Sequence, residues 1–180
     1  MNFFKTPFWL RFLCQDLYWT GPKKIENKTT AFLTFDDGPN PEITPQVLEC
    51  LDEFNARATF FCVGNNIRKY PDIYAEILKR GHMTGNHTFS HLDGWKSSLL
   101  EYWDNTALAD HYIEQFSGHP ARESNYFGLS GKKLFRPPYG KMKWFQIKKL
   151  KTNYDIIMWD ILTGDFDSSF PREDCLAKSL

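Results

Sequence analysis

Apolar positions along the chain switch between short continuous runs and stretches with a 3.6-residue period, and the switching predicts strands followed by helices. Residues 30–36, "TAFLTFD", form an apolar, β-rich run that reads as a buried strand ending at Asp36, Asp37 and a Gly38-Pro39 turn. A helix follows, because Thr44 can cap it, Pro45 can take its first position, and Ile43, Val47, Leu48, Leu51 and Phe54 share an apolar face. "ATFFCVG", residues 58–64, reads as a second buried strand stopped by Gly64. The next helix starts at Pro71, carries Ile73, Ile77 and Leu78 on one side, and is capped by Gly81. Ser98 and Glu101 have capping-box spacing, and Tyr102, Thr106, Ala109, Ile113 and Phe116 keep a helical period up to Gly118. Residues 118–133 lack periodicity and read as a long loop. "LFRPP" and "DIIMWD" read as two more strands, separated by a helix from about Met142 to Leu150 with lysines near its C-terminal end. Such alternation predicts an α/β fold with parallel strands.

A length of 180 residues suits one domain, and no repeat, low-complexity tract or linker divides it. Lys plus Arg equals Asp plus Glu at 22 each, so charge gives no reason to expect nucleic acid. Aromatic residues are 17% of the chain, enough to fill a core and leave rings for a flat ligand such as a sugar. Cys14, Cys50, Cys62 and Cys175 are widely spaced and form no C-x-x-C pair, so reduced, buried thiols are expected. Lys5, Arg11 and Asp16 interrupt the apolar N-terminus before a signal-peptide core or membrane span can form. The expected location is therefore cytoplasmic or envelope-associated, with an N-terminal amphipathic helix packing on the domain or touching a membrane surface.

Adjacent carboxylates repel, and a strand would aim Asp36 and Asp37 to opposite faces. One such acid is explained as a turn cap; a pair is relieved if a cation binds one of them. His87 and His91 are four apart in "NHTFSH", which on a helical turn would let them share an ion; two surface histidines fit that spacing as well. Two histidines and one carboxylate are a ligand set for a hydrolytic zinc, with the second acid placed to take a proton from water. Arg136, before two prolines, can hold a carboxylate by a forked pair of hydrogen bonds or be a surface arginine at a rigid turn. Trp159 can be core or present a ring to a sugar, and Asp160 and Asp165 can be turn residues or partners of site residues. His82, His111 and His119 read as structural or solvated.

In order, "TFDDGP", "HTFSH", "RPPYG" and "WDILTGDF" resemble the successive motifs of the polysaccharide deacetylases of carbohydrate esterase family four, the chitooligosaccharide deacetylase homology domain, over roughly residues 31–166. The resemblance implies a distorted (β/α) barrel with a divalent metal, usually Zn2+ and sometimes Co2+ or Ni2+, at the C-terminal ends of the strands. By position it makes Asp37, His87 and His91 the metal ligands and Asp36 the general base. Arg136 would orient Asp36, the Tyr139 backbone amide would help hold an oxyanion, and Trp159 would line the groove. Asp165 stands where the family keeps an acid that tunes a catalytic histidine. The implied reaction is removal of N-acetyl groups from an N-acetylglucosamine-containing glycan, with carbohydrate as partner. Residues 1–30 would be an N-terminal extension and residues 31–180 the catalytic domain.

The family pattern closes with a Leu-x-His element whose histidine protonates the leaving amine, whereas no histidine follows His119 here. The chain ends in what reads as the start of a helix, so the barrel is expected to lack its last strand and helix. Phe166 stands where the family has Trp or Tyr. Two alternatives therefore stand beside the deacetylase: a metal- and glycan-binding form without its general acid, and a hydrolase of a small amide or imide on the same fold.

Overall fold

Two of the apolar runs become the first strands of a parallel sheet in a computed structural model, which describes residues 5–25, 27–116, 131–164, 171 and 173. Residues 118–130 of the expected loop, together with His119, Asp165, Phe166, Cys175 and the helical pattern at the C-terminus, lie outside the described residues. A short antiparallel ribbon, β1 (Lys24–Ile25) and β2 (Lys28–Thr29), precedes the sheet. The sheet itself runs β3 (Leu33–Asp36), β4 (Ala58–Cys62), β5 (Met83–Asn86), β6 (Lys133–Phe135) and β7 (Tyr154–Ile156), in that spatial order and all parallel. Helices α2 (Thr44–Glu53), α3 (Gly64–Lys69), α4 (Pro71–Lys79), α5 (Leu99–Phe116) and α6 (Trp144–Leu150) connect the strands, and α1 (Phe8–Leu13) lies ahead of them. The α/β expectation holds, and the sheet is open among the described residues, as an incomplete barrel would be.

Strand β4 is buried at every position, as its apolar run predicts. Strand β3 is not: Leu33 is 45% exposed and only the two middle residues are half-buried. Its one strand partner among the described residues is β4, so it forms an edge. Strand β5, Met-Thr-Gly-Asn, carries no apolar run and went unpredicted. It is admitted by Gly85, which pairs with Phe61; a Cβ there would lie 2.6 Å from the Phe61 ring.

The helices follow their capping signals with two corrections. Thr44 is the first residue of α2 rather than its cap, and Asn40 holds the turn before it, its Oδ1 accepting the Glu42 and Ile43 amides at 2.8 and 3.0 Å. Leu48 and Leu51 are buried, but Ile43 and Phe54, which flank the helix at its two ends, are exposed. Gly64 begins α3 rather than ending a strand, and a Cβ there would meet the Ala109 backbone of α5 at 2.8 Å. Ser98 and Glu101 exchange amide-to-side-chain hydrogen bonds at the start of α5, as their spacing predicts.

Two apolar clusters form the core. Leu48, Leu51, Phe60, Ile67, Tyr74 and Ile77 fill one, and Tyr102, Phe135, Leu150, Tyr154 and Ile156 the other. Cys62 is buried, whereas Cys14 is half-buried and Cys50 exposed, so burial of the thiols holds for one of these three. Before α1, Thr6 donates its amide to the Asp160 carbonyl (2.8 Å) and its hydroxyl to that of Trp159 (2.6 Å). Tyr18 donates to Ile156 and accepts from Met158, forming a parallel bridge beside β7. Phe8, Phe12 and Leu13 of α1 are exposed. Among the described residues no helix is long and apolar enough to cross a membrane.

Candidate active site

Every described candidate group lies at or beyond the C-terminal end of a strand, where α/β sheets open their loops. Asp36 is the last residue of β3; His87 follows β5 and Arg136 follows β6. Asp37 leaves the strand with φ 68°, a left-handed conformation that aspartate tolerates, so the two acids do not follow strand alternation. Asn66 anchors this turn by donating to the Asp37 carbonyl at 2.7 Å.

His87 and His91 share a face, but not on a helical turn. Residues 87–91 form an irregular loop in which Thr88 and His91 have φ of 62° and 56°. Side chains fix that backbone. Asn105 Oδ1, from α5, accepts the Phe89 and Ser90 amides at 2.9 and 3.1 Å, while Asn86 Oδ1 accepts that of Thr88 (2.8 Å). Thr88 Oγ1 accepts from Leu92 (3.0 Å). The polar residues around the histidines thus take the hydrogen bonds that a helix would have made internally.

The result is a triad of donor atoms. His91 Nε2 and His87 Nε2 stand 3.0 and 3.4 Å from Asp37 Oδ1, and one ligand atom from each residue lies within 4.8 Å of the others. His87 Nδ1 is 2.7 Å from the Arg136 carbonyl. A carbonyl only accepts, so Nδ1 carries a proton, and a ring protonated there alone offers the lone pair of Nε2 toward the Asp37 carboxylate. Two electron-rich atoms facing each other call for a cation or an added proton between them. The donor set therefore fits a divalent metal such as zinc. With a proton on each Nε2, hydrogen bonds from His87, and then His91, hold the Asp37 carboxyl well below the usual carboxylate range, against the opposing effect of burial.

Arg136 is 3% exposed and its donors are distributed. Nη1 reaches Asp36 Oδ1 and Thr34 Oγ1, both at 2.8 Å, Nη2 the Met158 carbonyl at 2.9 Å, and Nε that of Ile157 at 3.2 Å. The forked pair expected from sequence is thus a single bond to the carboxylate, because the other nitrogens are turned to backbone carbonyls. The guanidinium carbon sits 4.2 Å from the Phe61 ring centroid. Burial pushes the Arg136 pKa down from its ordinary value, and Asp36 opposes that shift.

Tyr139, with φ 58°, places its ring edge-on to His91 at 4.6 Å. Trp159 is half-buried, 5.9 Å from the Arg136 guanidinium, and lies against Gly140, where a Cβ would approach it to 2.7 Å. The structure thus brings together Asp36, Asp37, His87, His91, Arg136, Tyr139 and Trp159; Asp165 lies outside the described residues. Asp160 turns away to pair with Arg11. Thr34 went unnoticed in the sequence, although its i, i+2 relation to Asp36 places both on one face of β3.

The family profile described as polysaccharide deacetylase matches residues 23–152. The chain belongs to the polysaccharide deacetylase family. Among polysaccharide deacetylase relatives, the peptidoglycan-N-acetylglucosamine deacetylase of Bacillus cereus is 36% identical over 141 residues, covering 78% of this chain and 47% of that protein. The peptidoglycan-N-acetylmuramic acid deacetylase PdaC of Bacillus subtilis is 33% identical over 140 residues, 78% of this chain and 27% of that one. The chain therefore spans less than two thirds of the length of these two polysaccharide deacetylases. The crystal structure of the Bc1960 peptidoglycan N-acetylglucosamine deacetylase, in complex with 4-naphthalen-1-yl-N-oxidanyl-benzamide, superposes with a TM-score of 0.79 at 31% identity, over 96% of this chain and 74% of that one.

Proposed function

We propose that this polysaccharide deacetylase domain hydrolyses the N-acetyl amide of an N-acetylglucosamine-containing glycan, with a divalent metal, zinc first, held by Asp37, His87 and His91. The observation that carries the reading is the pairing of Asp36 with a buried arginine directly beside that donor triad. The names of the relatives support the substrate class. Lewis acidity at the acyl oxygen is what the metal would supply.

The residues of the chain do the rest. Asp36 accepts a proton from the attacking water as its oxygen adds to the acetyl carbon. Arg136 fixes the orientation of that carboxylate, and Thr34 fixes the arginine. The Tyr139 amide stabilises the oxygen that gains charge. The proton taken up by Asp36 then passes to the nitrogen as the C–N bond breaks, leaving acetate and a free amine.

Acetate release from chitotetraose by the zinc-loaded protein tests the reading. Asp36→Asn should lower turnover by about 10²- to 10⁴-fold while zinc stoichiometry is kept. His87→Ala and His91→Ala should lose the zinc. Undiminished turnover in Asp36→Asn would remove Asp36 as the base, and unchanged zinc content in the histidine variants would remove the ligand set. Reconstitution with Co2+ or Ni2+ ranks the metals, since this donor type accepts several divalent ions.

A further inference from the structure

Beyond the donor triad, across Tyr139 and Lys141, a large ring stands in solvent and is nevertheless tethered. Trp95 is 60% exposed, yet its indole Nε1 donates to the Met142 carbonyl at 3.2 Å and its amide to Asp93 Oδ1 at 2.9 Å. The turn that carries it is stapled to the loop that carries Tyr139. Gln146 is fully buried and donates to the Gly94 and Ser97 carbonyls at 3.0 and 3.3 Å, while its Oε1 accepts the Lys143 amide at 2.8 Å. Lys143 Nζ also donates to the Ser97 carbonyl (2.8 Å). The two segments approach so closely that a Cβ on Gly94 would lie 2.3 Å from the Lys141 carbonyl oxygen.

Lys141 joins the two rings. Its Nζ is 5.4 Å from the Trp95 centroid and 5.3 Å from that of Tyr139, and it stands 3.5 Å from Asp93 Oδ2. Tyr139 is itself 60% exposed and packs on His91. A continuous path of contacts therefore runs from the donor triad through Tyr139 and Lys141 to Trp95. An exposed ring ordinarily keeps its rotamer freedom, and immobilising it in advance lowers the cost of stacking a ligand on it. Two fixed rings with an ammonium between them suit a ligand that offers C–H faces for stacking and hydroxyls for hydrogen bonding.

We propose that Trp95, Lys141 and Tyr139 form a platform for a sugar unit next to the one whose acetyl group is cleaved, so that the chain selects oligosaccharides over single sugars and small amides. The proposal rests on the hydrolase reading only in taking the ligand to be a glycan. Binding is measured by calorimetric titration of chitotetraose and of N-acetylglucosamine into the Asp36→Asn protein, so that no ligand is consumed. Adding Trp95→Ala should weaken chitotetraose binding about tenfold, and Trp95→Tyr, which keeps a ring, should recover most of that loss. Equal chitotetraose affinity with and without Trp95, or a single sugar bound as tightly as the tetramer, overturns the platform. Uptake through Trp95 by a chain that releases no acetate upholds the platform and overturns the hydrolase; acetate release with tetramer binding indifferent to Trp95 does the reverse.

Discussion

At Arg136 one guanidinium serves four acceptors on two segments: Thr34 and Asp36 on β3, and the Ile157 and Met158 carbonyls after β7. A lysine could keep the charge but not the planar spread of donors. Arg136→Lys should therefore lower turnover about 10- to 100-fold with zinc retained, the range for residues that orient a catalytic group. It should also lower thermal stability, because a buried carbonyl left without its donor costs about 1–3 kcal/mol. Acetate release and a thermal melt on the same preparation check both outcomes, and full activity in Arg136→Lys would mean that Asp36 is oriented by something else. The pairing of Arg136 with Asp36 was legible in the motifs. Its two backbone acceptors were not, since a carbonyl leaves no trace in side-chain chemistry.

Among the elements, sequence patterns identified those whose signal is carried by apolar runs, apolar period or caps: β3, β4, β6, β7, α2, α4, α5 and α6. Strand β5 escaped because its place between β4 and β6 is decided by a small residue opposite Phe61, not by hydrophobicity. The histidine loop was misread as a helical turn because four-residue spacing is shared by helices and by loops whose amides are taken up by neighbouring side chains, here Asn86, Thr88 and Asn105. The site residues themselves could still be found, since adjacent acids and a paired histidine are unusual wherever the backbone puts them. Just before β5, buried His82 accepts the Ala58 amide on Nδ1 at 3.4 Å, tying the starts of β4 and β5 together. Burial pushes its pKa below the ordinary imidazole value, and nearby Arg57 adds to the shift. The unfolded chain then binds the proton more readily than the folded one, so stability falls as pH drops through the ordinary imidazole pKa toward the lowered one. Melting should thus occur at lower temperature at pH 5 than at pH 7.5, by about 2–4 °C per kcal/mol of linkage. His82→Gln, which cannot titrate, should narrow that gap; an unchanged gap would place the pH dependence elsewhere.

Across the whole molecule, the N-terminal segment connects to the site through the backbone that follows β7. Tyr18 donates to Ile156 (2.9 Å) and accepts from Met158 (2.7 Å), Thr6 bonds the Trp159 and Asp160 carbonyls, and Arg11 pairs with Asp160. Those partners interleave with the carbonyls of Ile157 and Met158 that hold Arg136, and Arg136 in turn holds Asp36. A segment without a group in the donor triad therefore braces Asp36, the proposed base, from behind. Removing residues 1–19 would strip at least four such bonds and uncover the side of β7 away from β6, a template for pairing with another chain. At about 0.5–1.5 kcal/mol per hydrogen bond the expected loss is on the order of 2–6 kcal/mol, with association visible by light scattering. The proposed metal ligands follow β3 and β5, so zinc stoichiometry in the portion that stays folded should be kept while acetate release per bound zinc falls. If release per zinc instead equals that of the full chain, Arg136 stands without the brace, and the contacts at Tyr18 and Thr6 serve stability alone.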